Sequence, residues 1–96
     1  AALCVALVAA LDAAFELGLD PRARAEIAHR AENEFAGVPC GRMDSLASAL
    51  GRRDTALRID CRSLAVEAVP LPERLRFLVA DSGVRAPEDF EGRNLL

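Results

Sequence analysis

The stretch GVPCGRMDSLASALG, residues 37 to 51, holds the side chains best placed to do chemistry. Asp44 is a lone acid at the mouth of a short apolar helix, Ser45 to Leu50, entered through Pro39, Cys40 and Gly41. Two roles are open to it. It can cap the helix, a common use of Asp. Alternatively, a carboxylate fixed by a stiff loop and a rigid helix can align a nucleophile or accept its proton. The helix dipole favours the ionised form in either case. Cys40 has no histidine near it in sequence to activate it and reads as a packed thiol.

The remaining reactive residues form no recognisable constellation. Cys4, Cys40 and Cys61 are odd in number and far apart, without a C-x-x-C pair, and His29 is the one histidine. Neither a disulfide framework nor a metal-ligand set follows, so no metal ligand is assigned. The thiols read as reduced and buried, in a cytoplasmic protein. His29 lies among charged helix positions and reads as solvated surface. Asp60 and Arg62 belong to a turn or an exposed pair, and Asp81 with Ser82 ends a strand where ligand loops lie.

The elements that must hold Asp44 are legible from periodicity. Leu3, Leu7, Leu11 and Phe15 recur every four residues, widened by Cys4 and Val8, with Asp12 and Glu16 on another face. This predicts a first helix, buried nearly all round in its first half and ending at Gly18. Asp20 and Pro21 read as cap and first position of a second helix. Its apolar face is Ile27, Ala28, Ala31 and Phe35, Glu26 pairs with Arg30, and Gly37 ends it. After the short third helix the period becomes two. Thr55, Leu57, Ile59 and Cys61 mark one strand, and Leu64, Val66 and Ala68 a second, stopped by Pro70 and Pro72, with Asp60 to Ser63 as the turn. Leu75, Phe77 and Val79 mark a third strand. Two helices and a short third helix followed by three mainly antiparallel strands make this an α+β chain.

Ninety-six residues make at most one small domain, and a hydrophobic share of 52% makes it globular rather than disordered. The net charge of −3, with acids and bases interspersed, argues against a nucleic-acid or membrane-surface role. All twelve basic residues are arginine, which excludes a Schiff-base or phosphate-loop lysine within these residues. The apolar start AALCVALVAAL lacks an initiating Met and a basic flank and is shorter than the ~18 residues of a membrane span. That start predicts a piece of something longer.

The stretch from Ala31 to Leu64, AENEFAGVPCGRMDSLASALGRRDTALRIDCRSL, resembles the galactokinases. They belong to a small-molecule kinase superfamily with homoserine, mevalonate and phosphomevalonate kinases. PCGRMD followed by IDCRSL, then VPLP and LVADSGVR, recur in order at the family's spacings. The resemblance covers residues 1–85, and 86–96 depart from it. It implies a partial N-terminal kinase domain over 1–96, within a larger two-domain kinase fold. It further implies transfer of the ATP γ-phosphate to the anomeric hydroxyl of galactose, with Mg2+. Asp44 matches the family's catalytic aspartate and also contacts the sugar, and Gly41 matches a position where the backbone approaches the sugar. The N-terminus of the first helix faces the ATP phosphates, while the glycine- and serine-rich phosphate loop precedes the position of Ala1. No cofactor-binding residue is therefore retained here, the remainder of the kinase chain is needed, and the 96 residues alone are predicted to be inactive. Two residues depart from the pattern. Arg42 replaces an aliphatic residue and is placed either to pair with Asp44 or to obstruct the sugar, and Ser45 replaces Gln. A kinase for arabinose, glucuronate or N-acetylgalactosamine, or a non-catalytic sugar-sensing relative, are the alternatives.

Overall fold

Asp20 and Pro21 begin the central helix as their types require. The Asp20 carboxylate accepts the backbone N–H of Ala23 at 2.7 Å, and Pro21 takes the first helical position, where a missing N–H costs nothing. The structure, a computed structural model, describes residues 1–84. In chain order these form α1 (Ala2–Phe15), α2 (Pro21–Arg30), a π turn (Ala31–Phe35), α3 (Met43–Leu50), β1 (Thr55–Ile59) and β2 (Val66–Pro70). The architecture is three helices followed by a two-stranded antiparallel sheet, a mixed α+β arrangement.

α1 differs from its expected orientation. The ridge of Leu3, Leu7, Leu11 and Phe15 faces outward, with Leu3 82% and Phe15 71% exposed. Val5 is buried instead, and the small side chains Ala6 and Ala9 border Arg24 of α2 and Ser48 and Ala49 of α3. A four-residue period reports which stripe is apolar, but not whether the described residues cover it. Asp12, expected on the outer face, is only 5% exposed. Its carboxylate accepts the Leu19 N–H at 3.0 Å and the Arg24 Nε–H at 2.9 Å, tying the end of α1 to the start of α2. These bonds hold the Asp12 carboxyl below its usual range, the Leu19 N–H first, against the opposing effect of burial. α1 stops at Phe15 rather than Gly18, because Glu16 adopts the left-handed conformation (φ 51°) and returns its N–H to the Asp12 carbonyl.

α2 buries Ala25, Ala28 and His29, not the expected Ile27 and Phe35, and Phe35 is 95% exposed. His29 is therefore part of the interior rather than solvated surface. Small residues on α2 let α3 approach closely, and Leu46 and Ser45 complete that contact. Glu26 does not pair with Arg30. Arg30 reaches Glu34 in the π turn at 3.1 Å, and Glu26 takes Arg42.

The hairpin forms in the register Thr55↔Pro70 to Ile59↔Val66. Asp60 organises its turn by accepting the N–H of Arg62 at 2.9 Å and the Ser63 hydroxyl at 2.8 Å, while Leu64 takes φ 58°. Arg22 Nη1 donates to the Leu64 carbonyl at 2.7 Å and so ties this turn to α2. Cys61, expected in a strand and buried, lies in the exposed turn. The third strand is not formed: Leu75, Phe77 and Val79 are exposed, and no third strand pairs with β1 or β2 among the described residues. An alternating pattern is realised as a strand only when a partner supplies the ladder of hydrogen bonds. Among the described residues, the outer edges of both β1 and β2 therefore have no partner strand.

Candidate functional site

The start of α1, the π turn and the loop leading into α3 meet at one pole of the helical layer. The π turn closes with the Ala36 N–H donating to the Ala31 carbonyl at 3.0 Å, and Val38 N–H continues to the Glu32 carbonyl at 2.9 Å. Such turns carry one residue more than an α-helical turn and re-aim the side chains within them. Here Glu32 faces α1: the Ala1 ammonium lies 2.6 Å from Glu32 Oε1. Asn33 Nδ2 donates to the Cys40 carbonyl at 3.1 Å and pins the loop. Gly37, with φ 71°, makes the reversal that sends the chain back toward α3.

Cys40 Sγ lies 3.7 Å from Glu32 Oε2 and 3.9 Å from His29 Nδ1. The histidine that sequence distance hid is thus a spatial neighbour. Burial first, and the Glu32 charge second, push the Cys40 thiol up from its usual pKa. Cys40 is a protonated, packed thiol. Glu32 in turn is held below the ordinary glutamate range, chiefly by the Ala1 ammonium and then by the Cys4 thiol. Neither Glu32 nor Asn33 was assigned a role from the sequence, although both lie in the AENEF stretch that carries the resemblance.

Asp44 occupies the first turn of α3, one position inside a helix whose cap residue is Arg42. Arg42 makes no side-chain capping bond, and Asp44 is exposed, so Asp44 is not the cap. Among the described residues the Asp44 carboxylate has no hydrogen bond or ion pair. Its charge reaches the Ala1 ammonium, whose pKa is raised mainly by the Glu32 hydrogen bond with Asp44 a smaller contributor. Glu32 and Asp44 are the two carboxylates whose charges act on that ammonium. Arg42 pairs with neither: its Nε donates to Glu26 Oε2 at 3.1 Å and its Nη2 to Glu26 Oε1 at 3.3 Å. Ser45 points into the α2–α3 contact, 1% exposed, with its Oγ unpartnered. Gly41 has nothing within 4 Å of the position a Cβ would take, and its φ is not positive. Neither backbone strain nor a neighbouring atom requires a glycine there.

Compared with known protein families, residues 1–52 match the GHMP kinases N-terminal domain. The chain belongs to the GHMP kinase family. It is 55% identical over 64 residues to a galactokinase from Bos taurus, an alignment covering 66% of this chain and 16% of that relative. The chain thus spans about one-sixth of the length of that relative. No solved structure matches it. The GHMP kinase match takes in α1, α2, the π turn, the loop with Gly41 and α3 with Asp44, so the whole pole lies inside it. Asp60 and Asp81 lie away from it. Asp60 serves the hairpin turn, and Asp81 accepts the Gly83 N–H at 2.8 Å in a turn of its own. No helix among the described residues is long and apolar enough to cross a membrane.

Proposed function

We propose that this chain is a segment of the N-terminal domain of a cytoplasmic galactokinase, residues 1–96 within a two-domain fold. The full-length protein transfers the γ-phosphate of ATP to the anomeric hydroxyl of galactose. The observation that carries the proposal is the state of Asp44, a carboxylate held on a rigid helix, exposed, and without a protein partner among the described residues. Phosphoryl transfer asks the protein chiefly for positioning and charge stabilisation. Asp44 accepts the proton of the sugar hydroxyl, or aligns its lone pair, as that oxygen attacks phosphorus. The open space over Gly41 supports close approach of a sugar to the backbone. The two departures from the family pattern leave this intact, since Arg42 is paired with Glu26 and Ser45 is buried.

The nucleotide phosphates are assigned to the start of α1. Its first N–H groups lack intrahelical partners, and the first bond of the ladder runs from Val5 to the Ala1 carbonyl at 2.9 Å. Glu32 fits magnesium: its carboxylate is a hard oxygen donor in the first turn of the π segment, beside Cys40 of the loop that leads to Asp44. Magnesium is commonly held by one or two carboxylates together with substrate phosphates, and no cluster of three or more ligating side chains occurs among the described residues. When bound, the ion would supply charge neutralisation on the transferring phosphate. Glu32 would hold it, and Asn33 fixes the loop that separates Glu32 from Asp44.

The test is to incubate the purified full-length protein with ATP, Mg2+ and each of galactose, arabinose, glucuronate and N-acetylgalactosamine, following sugar 1-phosphate by phosphorus NMR. Galactose is expected to be turned over fastest. A different preferred sugar would reassign the substrate, and binding without turnover would make the protein a sensor. The isolated 96-residue chain is expected to be inactive in the same assay.

A further inference from the structure

The loop that enters α3 runs over the surface with little of its own to hold it. Val38, Pro39 and Gly41 are exposed, and neither a left-handed φ nor a neighbouring atom constrains Gly41. Beyond the bond from the Val38 N–H to Glu32, the backbone of residues 39–41 has one hydrogen bond among the described residues. It runs from Asn33 Nδ2 to the Cys40 carbonyl, at 3.1 Å. The Cys40 side chain is gripped from the same side, with Sγ 3.7 Å from Glu32 Oε2 and 3.9 Å from His29 Nδ1. Glu32 and Asn33 follow His29 by three and four residues, so one side of the helix end and π turn holds Cys40 at three points. The thiol contacts are the weaker ones, and the Asn33 amide has the length of a full hydrogen bond. Asp44 is held differently. It sits on α3, which is seated on α2 through buried Ser45 and Leu46.

We infer that Asn33 is a positioning residue for sugar binding, its amide holding the Cys40–Gly41 backbone, through the Cys40 carbonyl, where the sugar approaches it. The inference rests on the sugar-kinase reading of the loop proposed above and adds a residue to it. A loop released from Asn33 must be ordered by the substrate itself, and that ordering is subtracted from binding. Loss of the Asn33 donor is therefore expected to raise KM for the sugar about 3–10-fold, the scale of one hydrogen bond. The turnover number moves by less than about twofold, because α3 keeps Asp44 in place without the loop, and KM for ATP is unchanged.

The experiment measures kcat, KM for the sugar and KM for ATP in the full-length protein carrying Asn33→Leu, Asn33→Asp or Asp12→Asn, each well below its own melting temperature. Leucine and ionised aspartate are close to asparagine in size, both lack its N–H donor, and they differ in charge. Both Asn33 variants are expected to show the raised sugar KM with kcat and ATP KM held. Asp12→Asn loosens the opposite end of α1 and is expected to keep both KM values. A rise in Asn33→Asp alone would trace the effect to charge beside Glu32 rather than to the lost donor, and overturns the inference. So does a joint rise of both KM values, or an equal rise in Asp12→Asn, each the mark of a general loosening of the fold. An unchanged sugar KM in both Asn33 variants, beside a working wild type, sinks the inference alone. A wild type that neither binds nor turns over any of the four sugars removes the sugar-kinase reading, and the inference with it.

Discussion

Replacing Asp44 by Asn in the full-length protein separates two quantities that usually fall together. On the stability side the structure offers little to lose. Asp44 is exposed in the first turn of α3 and makes no hydrogen bond or ion pair with the described residues. Only the interaction of its charge with the helix N-terminus disappears, about 0.3–1 kcal/mol. For a protein of several hundred residues that moves Tm by no more than about 4 °C. On the activity side the isosteric amide cannot take a proton. The expected loss is about 10²–10⁴-fold in kcat, or roughly 3–5 kcal/mol of barrier. Steady-state ADP release against galactose gives kcat and KM, and calorimetry of the same preparation gives Tm. Turnover within about threefold of wild type would refute the assignment of Asp44, since even a modest general base contributes more. Inactivity accompanied by a large fall in Tm would refute the geometric part, because it would mean that Asp44 has partners and is not free.

Three further outcomes follow from packing and ionisation. Ser45→Ala is expected to stabilise by about 1 kcal/mol in thermal or urea unfolding, because the buried Oγ has no partner and Ala is the better helix former. Leu46→Ala is expected to cost about 2–3 kcal/mol in the same assay, at the lower end for a buried leucine because an open groove with Arg22 and Leu64 adjoins it. The third outcome concerns acid. The folded Asp12 carboxyl is held below its ordinary value, first by the Leu19 N–H and then by Arg24. Its contribution is therefore fully present above the ordinary Asp range and lost as the pH falls through the lower folded value. Melting of the wild type should decline over that acid interval, and Asp12→Asn should flatten the decline. Parallel acid limbs in the two proteins would show that Asp12 is not responsible.

Local signals were read correctly where they are self-contained. Asp20 and Pro21 define a helix start through atoms within three residues, and Asp60 organises the hairpin turn in the same way. The PCGRMD stretch points to Asp44 and Gly41 as candidates because its motif is contiguous. What sequence reasoning missed depends on partners distant in the chain. Asp12 appeared outward-facing because Arg24 and the Leu19 N–H arrive from beyond the helix that carries it. His29 and Cys40 are eleven residues apart, and only the π turn brings them together. Arg42 had two readings, and both were displaced by Glu26, sixteen residues upstream. The leucine ridge of α1 and the alternation through Leu75, Phe77 and Val79 were real patterns, but periodicity does not say what covers an apolar face or pairs with a strand.

The π turn between α2 and the loop makes residue count, as well as residue identity, a tightly set variable of this segment. Its closing bond spans five residues, from Ala31 to Ala36. Deleting one residue there would let the turn relax into ordinary α-helix, with backbone bonds preserved and α2 undisturbed. Everything after it would then rotate by about 100° and shift by about 1.5 Å. Asn33 would lose the Cys40 carbonyl, and the path from Glu32 to Asp44 would be re-aimed as a whole. Substitutions at the exposed Glu34, Phe35 and Ala36 should therefore be tolerated where a single deletion is not. Insertions are better placed at the exposed tip of the hairpin, far from the pole.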